Sequence, residues 1–448
     1  MVKIDVVSKE ILKPSSSTPN HLTRSYNLSL LDQLAPPFYV PVILFYSPPQ
    51  FDDISDIVGK LKKSLSETLA EFYPLAGRIQ NDAYVEVLED DGVDFAEARA
   101  NVKLLEILEN PEMSMLQQLL PLDPYKLKTD RESEGVPVLA VQVNVFTCGG
   151  IGIGICISHK VVDGTTLSTF LTAWAASGRT SCHGHGNDKT ITPSLDLAYI
   201  FPPKEIHVQT PCNLIKRGRV VTKRFLFCGS SLARLKAEVK GLSPNDYNPT
   251  RVEAVTALIS KTALNSRNAR TSTEKCSRPS MVISHVVNLR GRMDPPLPET
   301  ALGNIWRSAV ATILEEESKR LELHDLVAQL RKGIRKIDKD YVAKLQSDDG
   351  FLQAYESLKD VSEMVSEGVV PFYRFSSWVR FPLYETDFGW GKPIWACVTN
   401  VPIKDVVILM SNSSGDGIEA WINLEEEDMA RFQCDRELLQ FATQAPGS

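Results

Sequence analysis

The sequence predicts a mixed α/β (α+β) fold in two domains of comparable size, and three observations carry that expectation. The chain has 448 residues, longer than the length at which one hydrophobic core usually stops growing. Stretches of strand period and of helix period mix through both halves instead of segregating. Between the halves lies the most loop-like part of the chain, from RTSCHGHGNDKTI at 179–191 through Phe201-Pro202-Pro203 to about Gly218. The expected organisation is a first domain at 1–178, a crossover linker at 179–218 and a second domain at 219–448.

In the first half, Val2 to Ile11 alternates like a strand, Leu28 to Gln33 is a short turn, and Phe38 to Tyr46 is a buried strand. Ile57, Leu61, Leu65 and Leu69 repeat at helical spacing, so 54–72 is an amphipathic helix, stopped by Tyr73-Pro74. Short strands follow at 84–89 and 94–98, then a pair at 138–146 and 150–158. The last of these places Ile151, Ile153, Ile155 and Ile157 on one face and Gly152, Gly154, Cys156 and Ser158 on the other. The small face is open to close backbone approach or to a ligand. Leu167, Phe170, Leu171 and Trp174 then mark a helix ending near Ser177-Gly178.

The second half opens with a strand at 220–227. Thr250-x-x-Glu253 is a capping box that starts a helix running to about Leu264. Strands are expected at 281–289 and 308–314, and half-exposed helix over 315–347, where Leu326, Leu330, Ile334 and Ile337 share a face. Ser376 to Leu383 and Ile394 to Thr399 bracket Asp387–Gly391, and strands at 405–410 and 417–422 precede one last helix at 425–442.

Composition narrows the function. Net charge is −7 with a pI near 5.7, which argues against nucleic acid or an anionic membrane as the main partner. No signal-peptide core opens the chain, and the longest apolar run, Phe38 to Tyr46, is too short to span a bilayer. Eight cysteines are scattered without paired spacing, as in a reduced cytoplasmic protein. Serine-hydrolase elbow, P-loop and zincin patterns are absent from the sequence, and Cys182-His-Gly-His185 reads as linker, not as a metal site.

Two stretches carry chemistry. His159-Lys-Val-Val-Asp163-Gly164 sits between a buried strand and a helix, so the imidazole is held firmly and can still face a cleft. Two readings stand side by side: a general base, or a core histidine with Asp163 capping the following helix. Asp387-Phe-Gly389-Trp390-Gly391 reads more readily as a tight structural turn around an anchored ring. Before it, Ser376-Ser377-Trp378 offers hydroxyls and an indole N–H to a developing oxyanion. Lys223, Arg224 and Arg251, with the helix start at Thr250, form either a phosphate-binding patch or ordinary solvated surface.

Together, in this order and more than two hundred residues apart, these two stretches resemble the signature motifs of the plant BAHD acyltransferases. The resemblance spans the whole chain: Leu30-Leu-Asp32-Gln33, Tyr73-Pro-Leu-Ala-Gly-Arg78, Asn288-Leu-Arg290 and Gly303-Asn304 fall where that family has them. The opening Val7-Ser8-Lys9-Glu10 and Met293-Asp-Pro-Pro-Leu-Pro298 look most like a branch of O-acetyltransferases acting on alkaloid and terpenoid alcohols. What the resemblance implies is two chloramphenicol-acetyltransferase-like domains with a channel between them, admitting acyl-CoA from one face and the alcohol from the other. It implies His159 as general base, Asp163 turned away and paired with Arg290, and Trp378 as oxyanion donor. Asp387, Gly389, Trp390 and Gly391 become a remote structural support. Phe38, Tyr39 and Val40 match a segment that lines the acceptor pocket. Beside the resemblance, Asn304 is added to Thr250, Arg251, Lys223 and Arg224 as a candidate CoA contact, with solvated surface as the other reading. Acyl-CoA, most readily acetyl-CoA, is then a co-substrate with no resident cofactor and no metal. The acceptor is an alkaloid or a terpenoid, limonoid-like alcohol, and the active unit a cytoplasmic monomer. A non-catalytic ligand-binding relative or a thioester hydrolase would be the alternatives.

Overall fold

The computed structural model describes residues 2–15, 24–49, 53–126, 135–183, 190–205, 219–241, 248–268, 279–314, 321–347, 349–352 and 370–446. Its first large sheet has six strands, in spatial order Ile4–Leu12, Val93–Ala100, Leu139–Phe146, Ile151–Ser158, Tyr39–Tyr46 and Trp395–Cys397. The isoleucine strand lies near the middle, antiparallel to both neighbours, and every residue in it is buried. Its glycine face serves backbone approach: a Cβ on Gly154 would come within 2.0 Å of the Leu119 carbonyl oxygen. Asn144 crosses the same face and donates to the Leu119 and Gly152 carbonyls at 2.9 and 3.1 Å. The small residues therefore admit the 113–122 segment, not a ligand.

Helices Ile54–Glu71 and Gly164–His183 cover this sheet, with Ile57, Leu61, Leu65 and Leu69 buried as their spacing requires. The Trp174 indole N–H bridges the two helices by donating to the Leu61 carbonyl and the Ser64 hydroxyl at 3.3 and 3.1 Å. The second helix does not stop at Gly178. It continues to His183, and Gly178 instead makes room for Phe388, whose backbone oxygen would lie 3.2 Å from a Cβ there.

The second large sheet has seven strands, in the order Trp306–Leu314, Pro279–Asn288, Phe372–Ser377, Val406–Ser411, Ile418–Glu425, Val220–Phe227 and Thr443–Gln444. Helices Gly229–Gly241, Arg251–Asn268 and Leu323–Arg335 pack on it through an aliphatic core that includes Leu235, Leu258, Leu326 and Leu330. The capping box forms: Thr250 N–H donates to Glu253 at 2.8 Å, and Glu253 N–H to the Thr250 hydroxyl at 3.1 Å. The strand beginning at Phe372 ends at Ser377, so Trp378 stands on the loop beyond it. The last expected helix is two, Glu426–Phe432 and Arg436–Phe441, because Asp435 caps a new start by accepting from Leu438 N–H at 2.9 Å.

One strand crosses the expected partition. Trp395–Cys397 pairs antiparallel with Ile43–Phe45 at the edge of the first sheet, so the expected second domain (219–448) returns a segment to the first. Trp395 stacks on Phe45 with centroids 5.3 Å apart and planes at 13°. The linker is also not all loop: Leu197–Ile200 is a helical turn, and Ser194 bridges to Ala301.

Candidate active site

His159 follows directly on the isoleucine strand, and its backbone N–H donates to the Phe38 carbonyl at 2.9 Å. Phe38 and Trp306 flank the imidazole at 5.8 and 5.9 Å between centroids. Its Nδ1 lies 3.1 Å from Asn304 Oδ1. The proton on that contact can be assigned from the rest of the amide. Asn304 Nδ2 donates to the His159 carbonyl at 2.7 Å and to Asp32 at 2.9 Å, and the Trp306 indole N–H donates to Asn304 Oδ1 at 3.1 Å. Nδ2 faces acceptors and Oδ1 faces donors, so His159 Nδ1 carries the hydrogen and Nε2 has the free lone pair. Burial pulls the His159 pKa below the ordinary imidazole value, against weaker opposition from its own backbone carbonyl, Asp163, Asn304 and the Val162 backbone. At neutral pH the ring is an uncharged acceptor at Nε2.

Asp163 is held from several sides. Its carboxylate receives two bonds from the Arg290 guanidinium, at 2.8 and 3.1 Å, and further ones from Thr166 N–H at 2.8 Å and Ile305 N–H at 3.0 Å. Arg290 is 0% exposed and donates as well to the Thr166 hydroxyl and the Ala301 carbonyl. The pair ties the start of the helix Gly164–His183 to residues 301–305, the segment that carries Asn304. A buried ion pair of this kind contributes little net stability by its mere presence, but removing one partner costs about 3–5 kcal/mol.

His159 opens on a cavity of about 1900 Å³ between the two large sheets. Phe38, Tyr39, Val40 and Tyr125 line it beside the imidazole, and Ser376, Ser377 and Trp378 line it from the second sheet. The Tyr39 hydroxyl is already committed to the Pro137 carbonyl at 2.6 Å, so its contribution to the cavity is the ring. The Trp378 indole N–H donates to the Ser376 hydroxyl at 3.2 Å. That leaves the serine O–H, polarised by the indole, as a donor on this wall. Arg251, Arg267, Arg292, Arg307, Arg374 and Lys404 also line the cavity, against Asp163, Glu299 and Asp405. In a protein of net charge −7 this lining is locally basic.

Three expected CoA contacts stand elsewhere. Asn304 is 1% exposed and belongs to the imidazole's support. Arg224 is 7% exposed, lies 4.8 Å from the Trp395 ring and pairs with Glu419 at 3.4 Å. Lys223 points to Gln433 at 2.7 Å, outside the cavity lining. Thr250 and Arg251 do line the cavity, although the Arg251 guanidinium donates to the Gly415 and Asp416 carbonyls.

The Asp387–Gly391 turn lies away from the cavity lining. Asp387 accepts from the N–H groups of Gly389 and Gly391 at 2.8 and 3.0 Å, and both glycines have the positive φ, 109° and 127°, that such a path needs. Phe388 is fully buried against Trp174 at 4.9 Å and stacks on Trp390 at 5.4 Å. Arg179 donates to the Asp387 carbonyl at 2.8 Å, fastening the turn to the first domain's helix.

Sequence reasoning gave no site role to Asp32, which is 0% exposed beneath Asn304, and missed Trp306 beside His159 and Tyr125 against Phe38. The available signal for Asp32 was the pattern Ser29-x-x-Asp32, and both bonds of that capping box are present. Cys182 and His183 occupy the final turn of their helix, and His185 lies outside the described residues. Among the described residues no cluster of three His, Cys, Asp or Glu could hold a metal, and no helix is long and apolar enough to cross a membrane.

Comparison with known proteins adds a second line. The sequence profile described as the Transferase family matches residues 2–439. The limonoid 1-O-acetyltransferase of Citrus sinensis is 38% identical over 455 residues, covering 99% of each chain. The stemmadenine O-acetyltransferase of Catharanthus roseus is 38% identical over 437 residues, covering 97% of each. The crystal structure of vinorine synthase superposes with a TM-score of 0.83 at 35% identity, covering 99% of this chain and 100% of that one.

Proposed function

The chain belongs to the Transferase family, the BAHD acyltransferases, and is an O-acyltransferase; from that premise we propose that it carries acetyl from acetyl-CoA to a hydroxyl of a terpenoid or alkaloid alcohol. The observation that carries the reading is the neutral His159 with its Nε2 lone pair at the wall of a cavity large enough for two substrates.

An alcohol is a poor nucleophile until its proton has somewhere to go. In the proposed step Nε2 of His159 takes that proton as the oxygen attacks the thioester carbonyl. The tetrahedral intermediate places negative charge on the former carbonyl oxygen, and the Ser376 hydroxyl, with Trp378 behind it, is the donor on the facing wall. Collapse breaks the C–S bond, the thiolate takes the proton back from the imidazolium, and ester and CoA leave. No protein nucleophile is acylated, because the alcohol attacks the thioester directly. Holding both substrates in one cavity supplies much of the remaining acceleration. The arginine-rich lining supports a polyanionic donor in an otherwise acidic protein, and the aromatic wall of Phe38, Tyr125 and Trp306 supports a bulky apolar acceptor.

All of these residues come from one chain, which supports a monomer as the working unit. The free thiols at Cys148, Cys156, Cys228, Cys397 and Cys434 support a reducing, cytoplasmic setting. The test is thiol release from acetyl-CoA across a panel of limonoid and indole-alkaloid alcohols, with mass spectrometry of the acceptor. Acetylated product that disappears in His159→Ala is the expected result. Thiol release without any acceptor would instead identify a thioester hydrolase, and none at all a ligand-binding relative.

A further inference from the structure

We propose that Asp32 is the residue that orients the catalytic imidazole, acting through Asn304, and that Asp163 of the histidine motif has no direct part in this. The proposal rests on His159 being the base.

Asp32 is the third residue of the short helix Leu30–Gln33, inside its N-terminal capping box, and is completely buried. One carboxylate oxygen accepts from Ser29 N–H at 2.9 Å and from the Ser29 hydroxyl at 2.7 Å. The other accepts from Asn304 twice, from the backbone N–H at 2.8 Å and from Nδ2 at 2.9 Å. Because Nδ2 also serves the His159 carbonyl, turning the amide over would aim its oxygen at a carboxylate and a carbonyl together. The charge on Asp32 thus decides which way Asn304 faces, and Asn304 decides which imidazole nitrogen holds the hydrogen.

The surrounding ionisable groups are otherwise engaged. Asp163 is paired with Arg290, Lys160 donates to Asp82 at 2.8 Å and to the Gln33 carbonyl at 3.0 Å, and the Tyr26 hydroxyl donates to the Leu302 carbonyl at 3.3 Å. Burial lifts Asp32 to a pKa of about 6 against the pull of its four donors. It is therefore ionised at neutral pH and loses its hold on the amide as the pH falls below that value.

The full-length protein without substrate is enough for the test, so it does not depend on knowing the acceptor. Imidazole ¹⁵N spectra of histidine-labelled protein, with His159 assigned by its loss in His159→Gln, read the tautomer and the titration of that ring. Wild type should show a single tautomer protonated at Nδ1. In Asp32→Asn the ring should mix tautomers and titrate at lower pH. Asn304→Ala, which leaves Asp32 its Ser29 and backbone donors, should do the same even if Asp32→Asn folds poorly. The exchange Asp32→Asn with Asn304→Asp should restore the single tautomer and raise the titration above wild type, because the carboxylate then meets the ring directly. With an accepted alcohol in hand, kcat of Asp32→Asn should fall about 10²-fold with KM for acetyl-CoA within about twofold. A His159 signal of unchanged tautomer and titration in both single variants would overturn the proposal. Loss of activity in His159→Ala tests the base separately.

Discussion

The two signature stretches, around His159 and around Asp387, look alike in sequence: each sets an acidic residue and glycine beside a large or functional ring. Their structural situations are opposite. Asp387 spends its carboxylate on its own turn, Phe388 packs against Trp174 of the helix Gly164–His183, and Trp390 stacks on Phe388. His159 is held just as firmly through Nδ1 and the backbone, and unlike that turn it lines the cavity. Rigidity is common to both. What separates the two is that one of them borders space that a substrate can enter.

Variants should pull the two apart. The largest effect is expected for His159→Ala, a loss of about 10²–10⁴ in kcat at an almost unchanged melting temperature, measured by thiol release and calorimetry. Arg290→Met should behave in the reverse way, costing about 3–5 kcal/mol in denaturant unfolding by leaving Asp163 buried without its cation. Ser376→Ala, next, should lower kcat about 10²-fold without moving KM for acetyl-CoA if the hydroxyl meets the oxyanion. Asp387→Ala should cost about 2 kcal/mol of stability while the folded fraction keeps its kcat; a hundredfold loss of kcat at full folding would erase the distinction drawn between the two stretches.

The smallest effect is in pH. Since burial lowers the folded pKa of His159, the acid limb of kcat/KM should lie below the ordinary histidine value near 6.5. The same sign governs stability. The unfolded chain binds this proton more readily, so the ring's contribution is complete above the unfolded pKa. It is lost as the pH falls from there through the lower folded value. A chemical-denaturation series across pH 5–8, comparing wild type with His159→Gln, isolates it.

Local chemistry made much of this legible in the sequence. The isoleucine alternation fixed a buried strand, the four leucine and isoleucine positions fixed the helix at 54–72, and Thr250 with Glu253 announced a helix start that the structure reproduces bond for bond. What could not be read depends on distance along the chain. Asn304 meets His159 across 145 residues, and nothing local in Gly303-Asn304 distinguishes an imidazole support from a CoA contact. Arg224 was misplaced for a related reason. An arginine in a strand is ordinarily solvated, and here Trp395, Trp421 and Glu419, all from far downstream, make it an interior residue. The helix that continues past Gly178 belongs to the same class, because only Phe388 explains that glycine.

The strand Trp395–Cys397, which completes the first sheet against Tyr39–Tyr46, also has a consequence for biosynthesis. The last strand that the first half itself provides to this sheet ends at Ser158, and the covering strand begins only at Trp395, more than two hundred residues later. At a translation rate of about 5–20 residues per second, the edge of Tyr39–Tyr46 stays uncovered for roughly 12–47 s after the rest of its sheet has been synthesised. That strand is YVPVILFY, apolar along almost its whole length, with a proline near its start. An open apolar edge is a template for pairing with other chains, and a proline that cannot donate to such a ladder is one of the means by which edges resist it. Pro41 lies two residues before Ile43–Phe45, the stretch that the returning strand covers.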